Sequence, residues 1–247
     1  YYRLSCTERS RPFPTNLPNV RNNPIRFIDC LKLPFLFGGA AAFYCRITFL
    51  RPAAYYIRKG GLTMAVFQNG IDVSRYQGSI NWQQVAAAGK QFAIVRVGSS
   101  GSGGLYIDPY FYQNVNAAHA AGLRVGAYYY TYARTQTAVA NELTVFLNAL
   151  QGLQLEYPVF VDVEAKSLTA LGRTQLTALV QYAMDILYQR KWYAGWYSYT
   201  NFINSNINAG ALTEYPLWVA DYRQTLGYRG SYAMWQYSGS GSVNGIA

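Results

Sequence analysis

The sequence is poor in histidine, cysteine and acids. Among 247 residues there is one His, three Cys, and 11 Asp and Glu against 21 Lys and Arg. The one histidine, His119, falls in a helix-like stretch, and a surface or helix-packing role is expected for it. No His/Cys/Asp cluster has the spacing of a metal site, so neither a metal nor another cofactor is expected. The three cysteines, Cys6, Cys30 and Cys45, all lie near the start, so thiols are absent from the rest of the chain. Long apolar runs are also lacking. The longest uncharged stretch of residues 1–63, Leu33 to Cys45, is about 13 residues, short of the roughly 20 that a spanning helix needs. No membrane span is expected.

The formal net charge of +10 points towards a polyanionic partner, but its distribution argues otherwise. Residues 1–63 hold ten Lys and Arg against Glu8 and Asp29, whereas residues 64–247 hold eleven against nine acids. The basic excess belongs to the leading segment, and the remainder is not expected to bind nucleic acid. That leading segment is broken by Pro clusters such as Arg11-Pro-Phe-Pro14 and shows no lasting period of 2 or 3.6. Met64 is followed at once by strand-like residues, and Lys59-Gly60-Gly61 lies just upstream. Codons for those three residues can spell a purine-rich ribosome-binding sequence. Residues 1–63 are therefore expected to be a leader, translated upstream sequence or disordered, with the folded unit spanning 64–247.

Aromatic residues make up 17% of the chain, and the remainder holds 19 of its 24 Tyr and all 5 of its Trp. It alternates strand-like with helix-like segments. Strands are expected at Gly70–Ser74, Phe92–Val97, Arg124–Tyr132, Pro158–Glu164, Lys191–Ser198, Pro216–Ala220 and Met234–Tyr237. Helices are expected at Ile80–Ala88, closed by Gly89, and at Pro109–Ala121, capped by Asp108 and closed by Gly122. Two more follow, from Thr135 or Thr137 to Leu150 and over Thr169–Arg190; Glu142 and Asp185 read as solvated residues on them. This alternation implies a parallel sheet with helical crossovers. An open doubly wound sheet is the alternative, but the Gly-rich loop from Gly98 to Gly104 lacks the order of a dinucleotide or phosphate loop.

The chemistry centres on Pro158-Val-Phe-Val-Asp-Val-Glu164. In a strand, residues two apart share a face, so Asp162 and Glu164 point the same way with Cα atoms about 6.5–7 Å apart. Two carboxyls in one pocket push their pKa values apart, one staying protonated while the other stays charged. Glycosidic bond cleavage needs that arrangement. The plain alternative is that Asp162 caps a turn and Glu164 is solvated. Other strands also end in polar or aromatic groups (Asp72, Arg96, Tyr130, Tyr197, Asp221, Gln236), which a closed barrel would gather on one rim.

From Gly70 onward the residues resemble the glycoside hydrolase family 25 lysozymes, the Chalaropsis-type N-acetylmuramidases of phages and bacteria. Gly70-Ile-Asp-Val-Ser74 with Gln77-Gly78 is similar to the family's opening motif, and Phe92–Val97 to its second strand. Gly126-Ala-Tyr-Tyr-Tyr130, Val161-Asp-Val-Glu164, Trp218-Val-Ala-x-Tyr222 and Trp235-Gln-Tyr237 follow in the family's order. The resemblance implies an irregular, TIM-like (β/α) barrel that cuts the β-1,4 bond between N-acetylmuramic acid and N-acetylglucosamine in peptidoglycan. It implies Glu164 as general acid, Asp162 as second carboxylate and Asp72 beside them. It implies action as a monomer outside the cytoplasm, at the cell wall. Substrate contacts are expected from Arg96, Tyr128, Tyr130, Tyr197, Asp221 and Gln236. Direct attack and assistance by the substrate's acetamido group stay open, as does phage or bacterial origin. Two departures stand out. Tyr129 occupies a position where the family commonly has His, and the further Asp that commonly follows the Trp-Gln-Tyr strand does not occur before Ala247. A barrel truncated there is expected, and one that binds wall glycan but cuts poorly is the rival expectation.

Overall fold

In a computed structural model, residues 45–48, 67–101 and 103–246 are described. Most of the segment read as a leader thus lies outside the described residues. Strand β1 (Cys45–Thr48) precedes β2 (Phe67–Val73), α1 (Trp82–Ala87), β3 (Phe92–Ser99), the short β4 (Tyr106–Ile107) and α2 (Phe111–Ala120). Then come β5 (Arg124–Tyr130), α3 (Gln136–Ala149), β6 (Val159–Asp162), α4 (Gly172–Gln189), β7 (Ala194–Tyr199), α5 (Thr200–Asn206), β8 (Leu217–Ala220) and β9 (Met234–Gln236).

The strands β2, β3, β5, β6, β7, β8 and β9 pair in parallel in that order. They form a curled arc, and β1 runs antiparallel between its two ends, pairing with both β2 and β9. The result is an irregular (β/α) barrel, as the resemblance implied, built on the parallel sheet that the alternation of elements implied. The hairpin strand β4 lies antiparallel on the end of β3, between the Gly-rich loop and the next helix. Among the described residues, no helix is long and apolar enough to cross a membrane.

Alternation along each strand divides the core in two. Outward residues such as Ala93, Val95 and Val97 of β3, Val159 and Val161 of β6, and Leu217 and Val219 of β8 pack under the helices. Inward residues fill the barrel: Phe92, Ile94, Tyr157, Phe160, Tyr197, Trp218, Ala220 and Met234. Trp218 lies at the centre of this plug, with ring centroids of Tyr197, Phe160 and Tyr128 at 4.6, 5.2 and 6.0 Å. Removing such a buried ring costs about 3–5 kcal/mol. Gly126 makes room for the plug, because a Cβ there would sit 2.7 Å from both Ile94 and Tyr157.

The helix ends follow the expected turn chemistry in part. Gly89 and Gly122 adopt φ values of 79° and 83° just beyond α1 and α2, the left-handed conformation that glycine takes without strain. The start of α2 departs from expectation. Asp108 does not open the helix at Pro109; α2 begins at Phe111, and residues 109–110 form a turn. The reason is competition for one carboxylate, since Asp108 accepts hydrogen bonds from the backbone N–H of Arg75 and from the guanidinium of Arg96 as well as from the N–H of Tyr110. Glu142 on α3 also departs from expectation. It is 3% exposed and buried rather than solvated. The hydroxyls of Thr131 and Ser100 donate to its two oxygens, so α3 is tied to the chain that follows β3 and β5.

Candidate active site

The parity that builds the inner plug also builds the mouth above it. On β2, Ile71 and Val73 face outwards, so Asp72 faces in. Arg96 continues the inward series of Phe92 and Ile94, Asp162 follows Phe160, and Gln236 follows Met234. Tyr128 and Tyr197 are already members of the inner layer or packed on it. The C-terminal ends of parallel strands therefore gather Asp72, Arg96, Tyr128, Asp162, Tyr197 and Gln236 on one rim, where barrel enzymes carry their chemistry. Glu164 lies two residues beyond Asp162 and beyond the strand's last paired residue. It shares the mouth, because its charge and those of Asp72 and Asp162 act on one another.

The three carboxyls differ in access. Asp162 is 4% exposed, and its Oδ1 has no hydrogen-bond partner. Glu164 and Asp72 are partly exposed. Burial pushes Glu164 up to about 7, and the neighbouring charge of Asp72 adds to the shift. Burial pushes Asp72 up to about 6, against the opposing effect of a hydrogen bond from Gln236 Nε2 to its Oδ2 at 2.7 Å. Asp162 is pushed well above the usual carboxylate range, first by burial and then by the charges of Glu164 and Asp72; Arg96 opposes this only in part. Crowded carboxyls in a poorly solvated site share protons rather than all ionising, so near neutral pH the group holds a transferable proton.

Around the carboxyls the side chains fall into two flanks. On one, the Tyr197 and Tyr222 hydroxyls both donate to Gln236 Oε1 at 2.9 Å, while Gln236 Nε2 holds Asp72. Tyr222 is 59% exposed, so its ring lies open beside a hydroxyl anchored two hydrogen bonds from Asp72. On the other flank, Arg96 donates from Nε to Asp108 at 2.8 Å and stacks on the Tyr76 ring at 4.9 Å. Tyr130 lies at the same rim, close enough for Glu164 and Asp162 to help raise its phenol. Tyr129 points away from the mouth and stacks on Phe146 of α3 at 4.6 Å.

Asp221 stands apart from this group. Its carboxylate accepts from the Thr200 hydroxyl, from Arg223 Nε at 2.7 Å and from the Gly227 N–H at 2.9 Å. Those donors, Arg223 first, hold it well below the usual carboxylate range. Its bonds bind the start of α5 to the loop between β8 and β9. His119 lies at the far end of α2, beside Glu156 at 3.0 Å. Asp108, Tyr76 and Tyr222 are among the mouth residues that went unremarked as site residues in the sequence. Asp108 had a signal, because an Arg inside an apolar strand requires a counter-charge and Asp108 is the next acid along the chain. Tyr76 had none beyond its place after Asp72.

Comparison with known proteins gives the class. Residues 71–246 match the sequence model of "Glycosyl hydrolases family 25". The chain belongs to that family. It is 33% identical over 181 residues to an autolytic lysozyme of Clostridium acetobutylicum, covering 72% of this chain and 52% of that protein. The chain thus spans about half the length of that curated relative. Among solved structures, the CTP1L endolysin superposes with a TM-score of 0.62 at 27% identity, covering 71% of this chain and 62% of its own. The modular autolysin LytC of Streptococcus pneumoniae gives 0.63 at 25%, covering 71% and 43%.

Proposed function

We propose that this chain is a peptidoglycan muramidase that hydrolyses the β-1,4 bond between N-acetylmuramic acid and N-acetylglucosamine, acting on the cell wall outside the cytoplasm. The observation that carries the proposal is the convergence of Asp72, Asp162 and Glu164 in one aromatic mouth, with a buried, unpartnered oxygen on Asp162. Membership in family 25 and the likeness to an autolytic lysozyme support the choice of glycan.

The roles follow from access. Glu164 is the carboxyl with both a proton near neutral pH and an open path to a bound glycan, so it protonates the leaving glycosidic oxygen. The C1–O bond then breaks, and positive charge develops at C1. Asp162 lies deeper, and its bare Oδ1 supplies the acceptor for the acetamido N–H or for that developing charge. Asp72, aimed by Gln236, adds negative potential opposite. Water adds at C1 and gives one proton to the Glu164 carboxylate, which completes the hydrolysis and restores the acid. Tyr128, Tyr130 and Tyr197 line the sugar site, and the catalytic side chains all come from residues 64–247, with Cys45–Thr48 pairing onto that unit through β2 and β9.

The test is digestion of purified peptidoglycan by the full chain, with mass analysis of borohydride-reduced fragments. New reducing ends on N-acetylmuramic acid are expected. Reducing ends on N-acetylglucosamine, or preferential cutting of chitin, would replace this reading with another glycosidase activity. Binding without fragments would leave a wall-glycan binding barrel.

A further inference from the structure

Three arginines near the barrel mouth are not balanced alike. Arg96 is buried and paired with Asp108, with Nη2 2.7 Å from Oδ2. Arg223 is paired with Asp221. Arg75 is exposed, three residues after Asp72, and among the described residues no carboxylate lies within ion-pair distance of its guanidinium. Asp108 accepts the backbone N–H of Arg75 and is ion-paired with Arg96, so its charge acts on the Arg75 guanidinium only from beyond ion-pair distance. The Arg75 guanidinium is nonetheless held in place. It lies 5.3 Å from the Tyr76 ring centroid and 5.0 Å from that of Tyr106. One guanidinium N–H donates to the Tyr76 hydroxyl, and no carboxylate takes the others among the described residues; arginine held this way can recognise a planar carboxylate with two parallel hydrogen bonds.

The muramic acid unit at the scissile bond carries such a group on its lactyl arm, either as the free lactyl carboxylate or as a carboxylate of the attached peptide. We infer that Arg75 is a specificity-determining residue that pairs with a carboxylate on that arm, placing the arm on the β2–β3 flank and leaving the Tyr222 flank to neutral sugar. This rests on the muramidase reading above. It gives Arg75 a role in substrate choice, with no part in bond breaking.

The test compares the full-length wild type with Arg75→Gln and Arg75→Lys on three preparations of one peptidoglycan: native, with all carboxyls converted to amides, and with peptides removed to leave the lactyl carboxylate. Release of reducing ends gives kcat and KM. On native glycan, Arg75→Gln is expected to raise KM about tenfold or more with kcat kept, and Arg75→Lys to recover part of the loss. On the amidated glycan, wild type and Arg75→Gln should converge. Persistence of the difference on peptide-free glycan identifies the lactyl carboxylate, and its disappearance there identifies a peptide carboxylate. An equal loss on native and amidated glycan, or no change on either, overturns the inference while the muramidase stands. Failure of the wild type to release muramic acid ends from any preparation overturns the muramidase reading and this inference with it.

Discussion

The mouth of the barrel holds two kinds of acid, and the contrast between them separates scaffold from chemistry. Asp108 and Asp221 are buried and fully engaged, each by an arginine and by backbone N–H groups. Their charge is neutralised locally, and each fastens loops together. Asp72, Asp162 and Glu164 lie among the same strand ends with no cation bonded to any of them among the described residues. One of them keeps a bare oxygen in the interior. Leaving carboxyls crowded and under-bonded is unfavourable for folding, so their persistence together marks a site that a ligand or a proton completes. The same residue type is a rivet in one place and, in the function proposed above, a reagent in the other, and its neighbours make the difference.

The sharpest way to break this comparison is to remove one carboxyl of each kind. Glu164→Gln is expected to lower peptidoglycan hydrolysis about a thousandfold, within the range for loss of a general acid, while circular dichroism and unfolding stay cooperative. Asp108→Asn should do the reverse. It leaves Arg96 buried without a counter-charge, and a urea titration should show a loss of about 3–5 kcal/mol. If Asp108→Asn is harmless to folding, the division between the two kinds of acid fails.

Stability against pH gives the next largest effect. Glu164 has a folded pKa raised from 4.5 to about 7, so the folded state holds its proton more tightly than the unfolded one. Its contribution is most favourable below about 4.5 and is lost as pH rises from there through about 7. Glu164→Gln therefore should stabilise the protein at pH 8 by about 1–2 kcal/mol, after allowing for partial exposure, and leave it unchanged at pH 4. Thermal unfolding at the two pH values checks this. The activity profile should agree: kcat/KM falls as pH rises through about 7, where Glu164 loses its proton, and falls on the acid side near 6, where Asp72 gains one. The smallest expected effect is that of Gln236→Ala. Its amide lowers the Asp72 pKa, so removal should move the acid limb upwards and reduce activity a few-fold, read from the same profile.

Much of the mouth was legible because a strand's period of 2 is local. Asp162 and Glu164 could be assigned to one side from seven residues of sequence. The opposed faces of Tyr128 and Tyr129 followed from the same rule, and the structure sends one ring into the plug and the other onto Phe146. What the period could not supply was the partner of each polar group. Asp108 looked like a helix cap because Asp-Pro is a local signal, while the Arg75 N–H that competes for it comes from 33 residues away. Glu142 looked solvated because it is an acid on a helix, while the hydroxyl of Ser100 reaches it across 42 positions. The pairing of Cys45–Thr48 with β2 and β9 had no signal at all, since a four-residue strand carries too little pattern to register against its surroundings.

By itself, then, the sequence determined the alternation of strands and helices, the inward parity of Asp72, Asp162 and Gln236, and the family, because each depends on residues close together in the chain or on motifs in order. Only the tertiary structure decided which acids are neutralised and which are not. Burial and counter-charge are properties of the closed barrel, in which β2 and β6 bring together carboxyls 90 positions apart, and a carboxyl's proton affinity is set by what surrounds it there.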